Sequence, residues 1–581
     1  MESIEREFII EIDNQSVGLP ENNDEPRVHA SLGLTPPAVF TLAEGYLKSD
    51  GWILGRSLVE DRSLLPKKVF WFDEKKSDMG LIQKTRAVPD GDSYVLEFAG
   101  APLIAPNGLL LADLMRGMAI RVIVLSILMF KRLTELIKVI DMSLLSNNQP
   151  HAWASLPDAV GASFTTLNNT LNHDRQWQAF IDTEAIHDSV TMGIQSTGSD
   201  QAILVAVEPG LQTIVSRGSS ASADFVLLAQ PSHWEKYFSA SPQAPYTSFG
   251  MNIVQDGAGV HGDRLKYSQF AHLTTRLLEL IREGLHGPIV ADPQHEVDED
   301  HIIGKYVFID PPVWGKTKVF YESSGTGPQE IVFLHTAGSD SRQYHDVMND
   351  PSMRAKCKMI AFDLPAHGRS FPGKNHMPGN HTNTEEAYVG CIREMIKVLK
   401  LNKPIVCGAS MAGQVCIAVA IRAEEVGAGG TIPLQGCDFL TMKRQFDDKS
   451  PLVNQSLFNP DWIYGMMAPN APLVNKQLIW HLYSAQAYGI FHGDLDFYFG
   501  GFDARDRVAS IDVKKCPIYF LTGEFDWSTT PEMSQATAKK IKGANFKSME
   551  GLGHFPATES PSRFVPYLLD AIEWIQNTRG Q

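Results

Sequence analysis

Three side chains near the end of the chain have the types and order needed for acyl transfer. Ser410 lies in Gly408-Ala409-Ser410-Met411-Ala412-Gly413, between an apolar run (PIVCG, 404–408) and a small-residue helical run (AGQVCIAVAI). A serine there sits on a sharp strand-to-helix turn, which needs small neighbours two residues before and after; Gly408 and Ala412 supply them. A hydroxyl is a weak nucleophile and needs an adjacent base of near-neutral pKa. His554, in GLGHFP after the last apolar run, is that base. An acid must orient the imidazole. Asp526, 28 residues before His554 and just past the run PIYFLTG (517–523), is the first candidate. Glu524 in the same loop and Asp438 after TIPLQG (431–436) are the alternatives. Carbonyl attack also needs two backbone N–H donors for the developing oxyanion. Met411, first in its helix, supplies one, and Ala337 in HTAGS (335–339) supplies the second.

These loops have to be held by a scaffold, and the sequence from about 317 onward describes one. Short apolar runs at 330–335, 359–363, 404–408, 431–436, 517–523 and 546–549 are too short for helices, and most end in Gly, Asp or His. Between them lie helical patterns, such as Tyr388, Ile392, Met395 and Leu399, introduced by Asn383 with Glu386 as a capping box. The last helix repeats Phe564, Leu568, Ile572 and Ile575. Alternating strands and helices predict an α/β domain around a mostly parallel sheet. Residues 439–506 break this rhythm and are rich in aromatic residues, among them Trp462, Tyr483 and Phe491.

With these motifs in view, residues 317–581 resemble an α/β-hydrolase-fold serine hydrolase of the Ser-Asp-His type. The chain order Ser410, Asp526, His554 matches that family, and Asp363-Leu364-Pro365-Ala366-His367-Gly368-Arg369-Ser370 resembles its D-x-x-G-x-G-x-S loop. Thr336, Ala366 and Ala412 replace glycines of the family pattern. The resemblance implies a helical lid at 439–506 and hydrolysis of an ester or lactone of an apolar, aromatic or polyketide-like small molecule. The same triad also serves carbon–carbon bond hydrolysis next to a ketone, and the local sequence does not separate the two; a dead hydrolase fold that only binds is a third reading. A serine at 410 argues against the aspartate-nucleophile branches of the fold. No cofactor or metal is called for.

The remaining half is read as an α+β region preceding the hydrolase. Residues 1–27 form a polar tail, 28–165 a helix-rich region with its helices over 109–146, 166–290 an α+β domain, and 291–300 an acidic, turn-rich linker to the hydrolase domain at 301–581. Runs at 202–207, 213–215 and 224–228 read as strands, and Leu273, Leu277, Leu280 and Ile281 as one helix face. With Asp224-Phe225-Val226-Leu227, Trp234 and Val260-His261-Gly262-Asp263, residues 202–285 resemble sterol-carrier-protein-2-like domains. That resemblance implies an apolar ligand or a dimerisation surface, and so a homodimer through the N-terminal region.

Composition bounds the partners. The 581 residues carry a net charge of −16, which argues against nucleic acid or an anionic membrane as the main partner. The apolar run 118–130 is 13 residues long and contains Arg121, short of the roughly 20 residues a span needs, so it is read as a core helix. All six cysteines lie after residue 300 without a CxxC pair, the pattern of buried free thiols. With no signal-peptide pattern at the start, a reducing, cytoplasmic setting is expected.

Overall fold

A computed structural model describes residues 4–12, 15–20, 26–32, 37–58, 67–90, 93–98, 101–104, 110–112, 123–126, 164–182, 188–199, 201–247, 249, 258–294, 299–441 and 449–579. The chain divides into two compact units, 1–148 and 149–581.

The first unit is built on a thirteen-stranded sheet, antiparallel at every pairing, from Ile4–Ile12 to Ile123–Ser126. Phe8, Phe40, Trp71 and Phe98 fill its core. Two readings are corrected here: residues 1–27, read as a polar tail, supply the strand Ile4–Ile12, whose Phe8 and Ile10 are core residues, and residues 28–165 are not helix-rich where described. Where 109–146 is described it is extended, at Leu111–Ala112 and Ile123–Ser126, and the rest of that stretch lies outside the described residues. The segment holding Ile123–Ser126, IRVIVLS, is rich in β-branched residues; a short apolar run of that kind fits strand or buried helix equally by periodicity.

The second unit contains two sheets. The smaller has five strands, with Val190–Ser196 at its centre running parallel to Phe225–Ala229 and antiparallel to Gln201–Val207. One long helix, α1 (Arg264–His286), packs against it, with Asp263 capping its first turn. Trp177, Phe225, Trp234, Leu273 and Leu277 fill the space between. The expected strands and helix lie here; the central strand Val190–Ser196 is an addition.

The larger sheet carries the loops of interest. Its strands are β1 (Ile303–Ile309), β2 (Thr317–Ser324), β3 (Gln329–Leu334), β4 (Cys357–Phe362), β5 (Ile405–Ala409), β6 (Gly430–Leu434), β7 (Tyr519–Gly523) and β8 (Asn545–Met549). Their order is β1-β2-β4-β3-β5-β6-β7-β8, antiparallel at the β1-β2-β4 edge and parallel from β4 onward. Helices α2 (Glu385–Val398), α3 (Met411–Ile421), α7 (Pro531–Lys539) and α8 (Pro561–Arg579) cover it. Between β6 and β7 a helical insertion supplies α4 (Gln455–Tyr464), α5 (Leu473–Ser484) and α6 (Ile490–Asp496). All six predicted strands are present within two residues. The N-cap of α2 is Thr384, whose hydroxyl accepts from Ala387 N; Asn383 turns elsewhere.

The insertion also touches the smaller domain. Thr247 Oγ1 donates to Gly465 O (2.8 Å), Gln269 Nε2 donates to Leu452 O (3.1 Å), and Phe180 lies 5.5 Å from Trp480 between ring centroids. The expected linker is anchored at both ends: Arg563 pairs with Asp292 at 2.6 Å and Ser560 Oγ donates to it, while Asn349 Nδ2 donates to Asp300 (3.1 Å). All six cysteines are buried and unpaired. No described helix is long and apolar enough to cross a membrane.

Candidate active site

Parallel strands deliver their C-terminal loops to one edge of a sheet, and that edge collects the predicted residues. Ser410 follows β5, Asp526 follows β7 and His554 follows β8. All three are buried, with 4%, 1% and 2% of their surfaces exposed.

Ser410 has φ 63° and ψ −124°, a conformation that side-chain-bearing residues rarely adopt. It is held there because its N–H bonds to Leu434 O on β6 (3.0 Å) and its carbonyl receives Gln414 N (3.2 Å). The small neighbours are sterically required. A Cβ on Gly408 would lie 2.6 Å from Ala412 Cβ and 2.9 Å from Leu334 Cβ. One on Gly413 would lie 2.2 Å from Leu434 O, so glycine lets α3 press directly on β6.

His554 Nδ1 donates to Asp526 Oδ2 over 2.7 Å. The other carboxylate oxygen accepts from Ser528 N (2.8 Å) and Thr529 N (3.2 Å), which fixes the side chain. Neither alternative acid reaches the imidazole. Glu524 is exposed and accepts from Gly551 N (2.9 Å), while Asp438 is engaged by Lys540 and Thr537. The histidine loop is itself anchored, through His554 N to Met466 O (3.0 Å) and Gln435 Nε2 to Gly553 O (3.1 Å).

Around Ala337 the neighbouring amides are occupied: Thr336 N donates to Gln343 Oε1 (2.9 Å) and Gly338 N to Asp494 Oδ2 (2.9 Å). Among the described residues no acceptor takes the Ala337 N–H. Thr336, where a glycine was expected, keeps ordinary backbone angles and hydrogen-bonds through its hydroxyl to Gln343 and to Tyr483 of α5. His335 donates from Nδ1 to Thr336 O (2.8 Å) and accepts Leu364 N at Nε2 (3.0 Å), so its ring is neutral. Burial, reinforced by the charge of His367, keeps its pKa below the ordinary value. Ala366, another glycine replacement, carries φ 68°.

Two buried groups were missed from sequence. Asp494, on α6, receives His367 and His381 as well as Gly338, and these three side chains place potential metal-ligand atoms within 4.8 Å of one another. Glu559 accepts from Gly553 N and from Ala468 N (3.3 Å), joining the histidine loop to the insertion; burial pushes its pKa up to about 8. Nothing in local periodicity marks either. Buried aromatic rings form a chain of contacts from the histidine: His554 to Phe555 (5.0 Å), Phe555 to Tyr483 (5.8 Å), Tyr483 to Phe491 (5.6 Å) and Phe491 to Trp462 (5.8 Å).

Comparison with known proteins agrees with this architecture. Residues 331–566 match the alpha/beta hydrolase family, and residues 39–123, in the other compact unit, match the peptidase inhibitor I66 family. An esterase/lipase of Mycoplasma pneumoniae is 23% identical over 267 residues, 43% of this chain and 91% of that protein. Similar solved structures include an esterase from Thermogutta terrifontis (21% identity, 47% of this chain and 99% of that one, TM-score 0.38). They also include the enol-lactonase from Burkholderia xenovorans (17% identity, 44% and 97%, TM-score 0.37). The C-terminal part of the chain is therefore an esterase/lipase-like hydrolase with the α/β-hydrolase fold.

Proposed function

We propose that this hydrolase cleaves an ester or lactone of an apolar, aromatic small molecule through Ser410, His554 and Asp526. The observation that carries the reading is the buried 2.7 Å bond from His554 to Asp526, on the same sheet edge as a serine held at positive φ. Ser410 Oγ attacks the carbonyl carbon while His554 Nε2 takes its proton, and Asp526 stabilises the imidazolium. The Ala337 and Met411 N–H groups receive the oxyanion. Collapse of the adduct expels the alcohol, which takes the proton from His554, and leaves an acyl-serine. Water, deprotonated by the same histidine, then releases the acid and restores the serine.

The insertion is the lid, and its rings set the substrate class. Phe555, Tyr483, Phe491 and Trp462 offer an apolar wall that suits an aromatic or polyketide-like group. The domain around α1 is an auxiliary one that braces the lid through Thr247 and Gln269; its filled interior favours packing over carriage of a lipid, and a homodimer through the N-terminal region would be a separate use of it. The six buried thiols suit a reducing, cytoplasmic setting.

Purified protein offered aryl esters, aryl lactones and vinylogous diketones tests the reading. Turnover of the first two is expected. Turnover of the diketones alone would replace it with carbon–carbon bond hydrolysis by the same residues.

A further inference from the structure

Both residues flanking Ala337 are gripped by the helical insertion. On one side the Thr336 hydroxyl bonds to Tyr483 of α5. On the other, Gly338 N donates to Asp494 of α6, and Gly338 is pressed so closely that a Cβ there would lie 2.5 Å from Phe491. Gly338 also has φ 58°, so a side chain is excluded on both counts.

Asp494 is fully buried and every one of its contacts is a donor. Oδ2 accepts Gly338 N (2.9 Å) and His367 Nε2 (2.8 Å); Oδ1 accepts His381 Nε2 (3.0 Å) and Asn383 Nδ2 (3.0 Å). His367 Nδ1 faces the Pro365 carbonyl at 3.0 Å, so both nitrogens of that ring meet acceptors. Only the imidazolium, which has two N–H groups, satisfies both. His381 meets Asp494 through Nε2, and its Nδ1 is buried with no hydrogen-bond partner among the described residues. The result is a buried ion pair, His367 with Asp494, completed by three further contacts from Gly338, His381 and Asn383. Burial opposes the charge on each member, yet each partner outweighs it, raising the pKa of His367 and depressing that of Asp494.

We propose that Asp494 is a positioning residue for the oxyanion hole. It reaches down from the lid to fix the peptide that follows the Ala337 donor, so the donor holds its catalytic position only while the lid is seated. This rests on the triad reading of the site. The physical reason is geometric: an oxyanion donor acts only within a few tenths of an ångström of its place, and losing one costs roughly 10²–10³ in kcat. The peptide carrying the Ala337 N–H is already held on its carbonyl side by His335. Asp494 and Tyr483 restrain its two ends.

The test is Asp494→Asn, which keeps the shape but offers N–H where one oxygen had accepted. With an aryl ester, kcat should fall about 10²-fold while KM stays within about threefold. Affinity for an aryl boronic acid, which forms a tetrahedral adduct on Ser410, should fall in proportion to kcat/KM. Affinity for a non-covalent aromatic inhibitor should not change. Tyr483→Phe, which removes a single hydroxyl from the other side, should show the same pattern with a smaller drop, about three- to tenfold. It decides the question if Asp494→Asn does not fold. A folded Asp494→Asn enzyme within twofold of wild type overturns the proposal, as does a loss of kcat with boronate affinity retained, or equal weakening of boronate and non-covalent inhibitor. If Asp494→Asn does not fold, a Tyr483→Phe enzyme within twofold of wild type overturns it too. Wild-type protein inert to esters and to serine-directed reagents would instead remove the triad reading on which the proposal stands.

Discussion

Asp526 meets His554 at 2.7 Å through one carboxylate oxygen while its other oxygen is pinned by the N–H groups of Ser528 and Thr529. That arrangement sets both the tautomer and the tilt of the imidazole. Asp526→Asn presents an amide where an acceptor is needed, favouring the wrong tautomer, and kcat should fall by about 10³–10⁴. Glu524→Gln and Asp438→Asn, whose carboxylates engage Gly551 and Lys540, should stay within about threefold. Steady-state kinetics on one aryl ester compare all three.

The turn that presents Ser410 is a steric agreement between Gly408 and Ala412. Gly408→Ala should destabilise the fold by about 1–3 kcal/mol through overpacking. Ala412→Gly in the same chain removes the nearer of the two clashing atoms, at 2.6 Å, but not Leu334 Cβ at 2.9 Å. Partial recovery is therefore expected, and a double-mutant cycle by denaturant unfolding measures the coupling. Additive losses would show that the contact does not limit the turn.

Glu559 makes stability depend on pH. Its carboxyl is buried and titrates near 8 in the fold, against an ordinary value of 4.5. The fold therefore favours the protonated form. This contribution is greatest below pH 4.5, declines between 4.5 and 8, and is flat above. Glu559→Gln cannot ionise, so its stability relative to wild type should climb across that window, by up to about 5 kcal/mol in the variant's favour. Thermal unfolding of both proteins from pH 5 to 9 reads the difference. A constant offset would mean that Glu559 is not held neutral.

The candidate catalytic residues were legible because each follows a short apolar strand and the strands recur in order. β1 and β2 were not, since β1 exposes most of its residues and β2 alternates buried with half-buried ones, leaving no continuous apolar run. The first sheet was misread for the opposite reason: around Ile123–Ser126 a dense apolar run fits two structures. Asn383 has the sequence of a helix cap, yet its amide donates to Asp494, 111 residues away. Asp494 and Glu559 acquire their importance from partners brought together by the insertion, and no local pattern records such pairings.

The wall of Phe491 and Trp462 predicts a preference. Trp462→Ala and Phe491→Ala should raise KM for naphthyl or phenyl esters about tenfold or more while changing KM for acetate esters of short alcohols little. Equal effects on both series would place the substrate's aromatic part elsewhere.

The central claim is that Ser410 is the nucleophile, and covalent labelling addresses it most directly. Wild-type protein treated with a fluorophosphonate should gain one adduct, mapped by peptide mass spectrometry to Ser410. The adduct and aryl-ester turnover should both vanish in Ser410→Ala. A folded wild-type protein that stays unlabelled, or a Ser410→Ala protein that still turns over esters, would contradict the account.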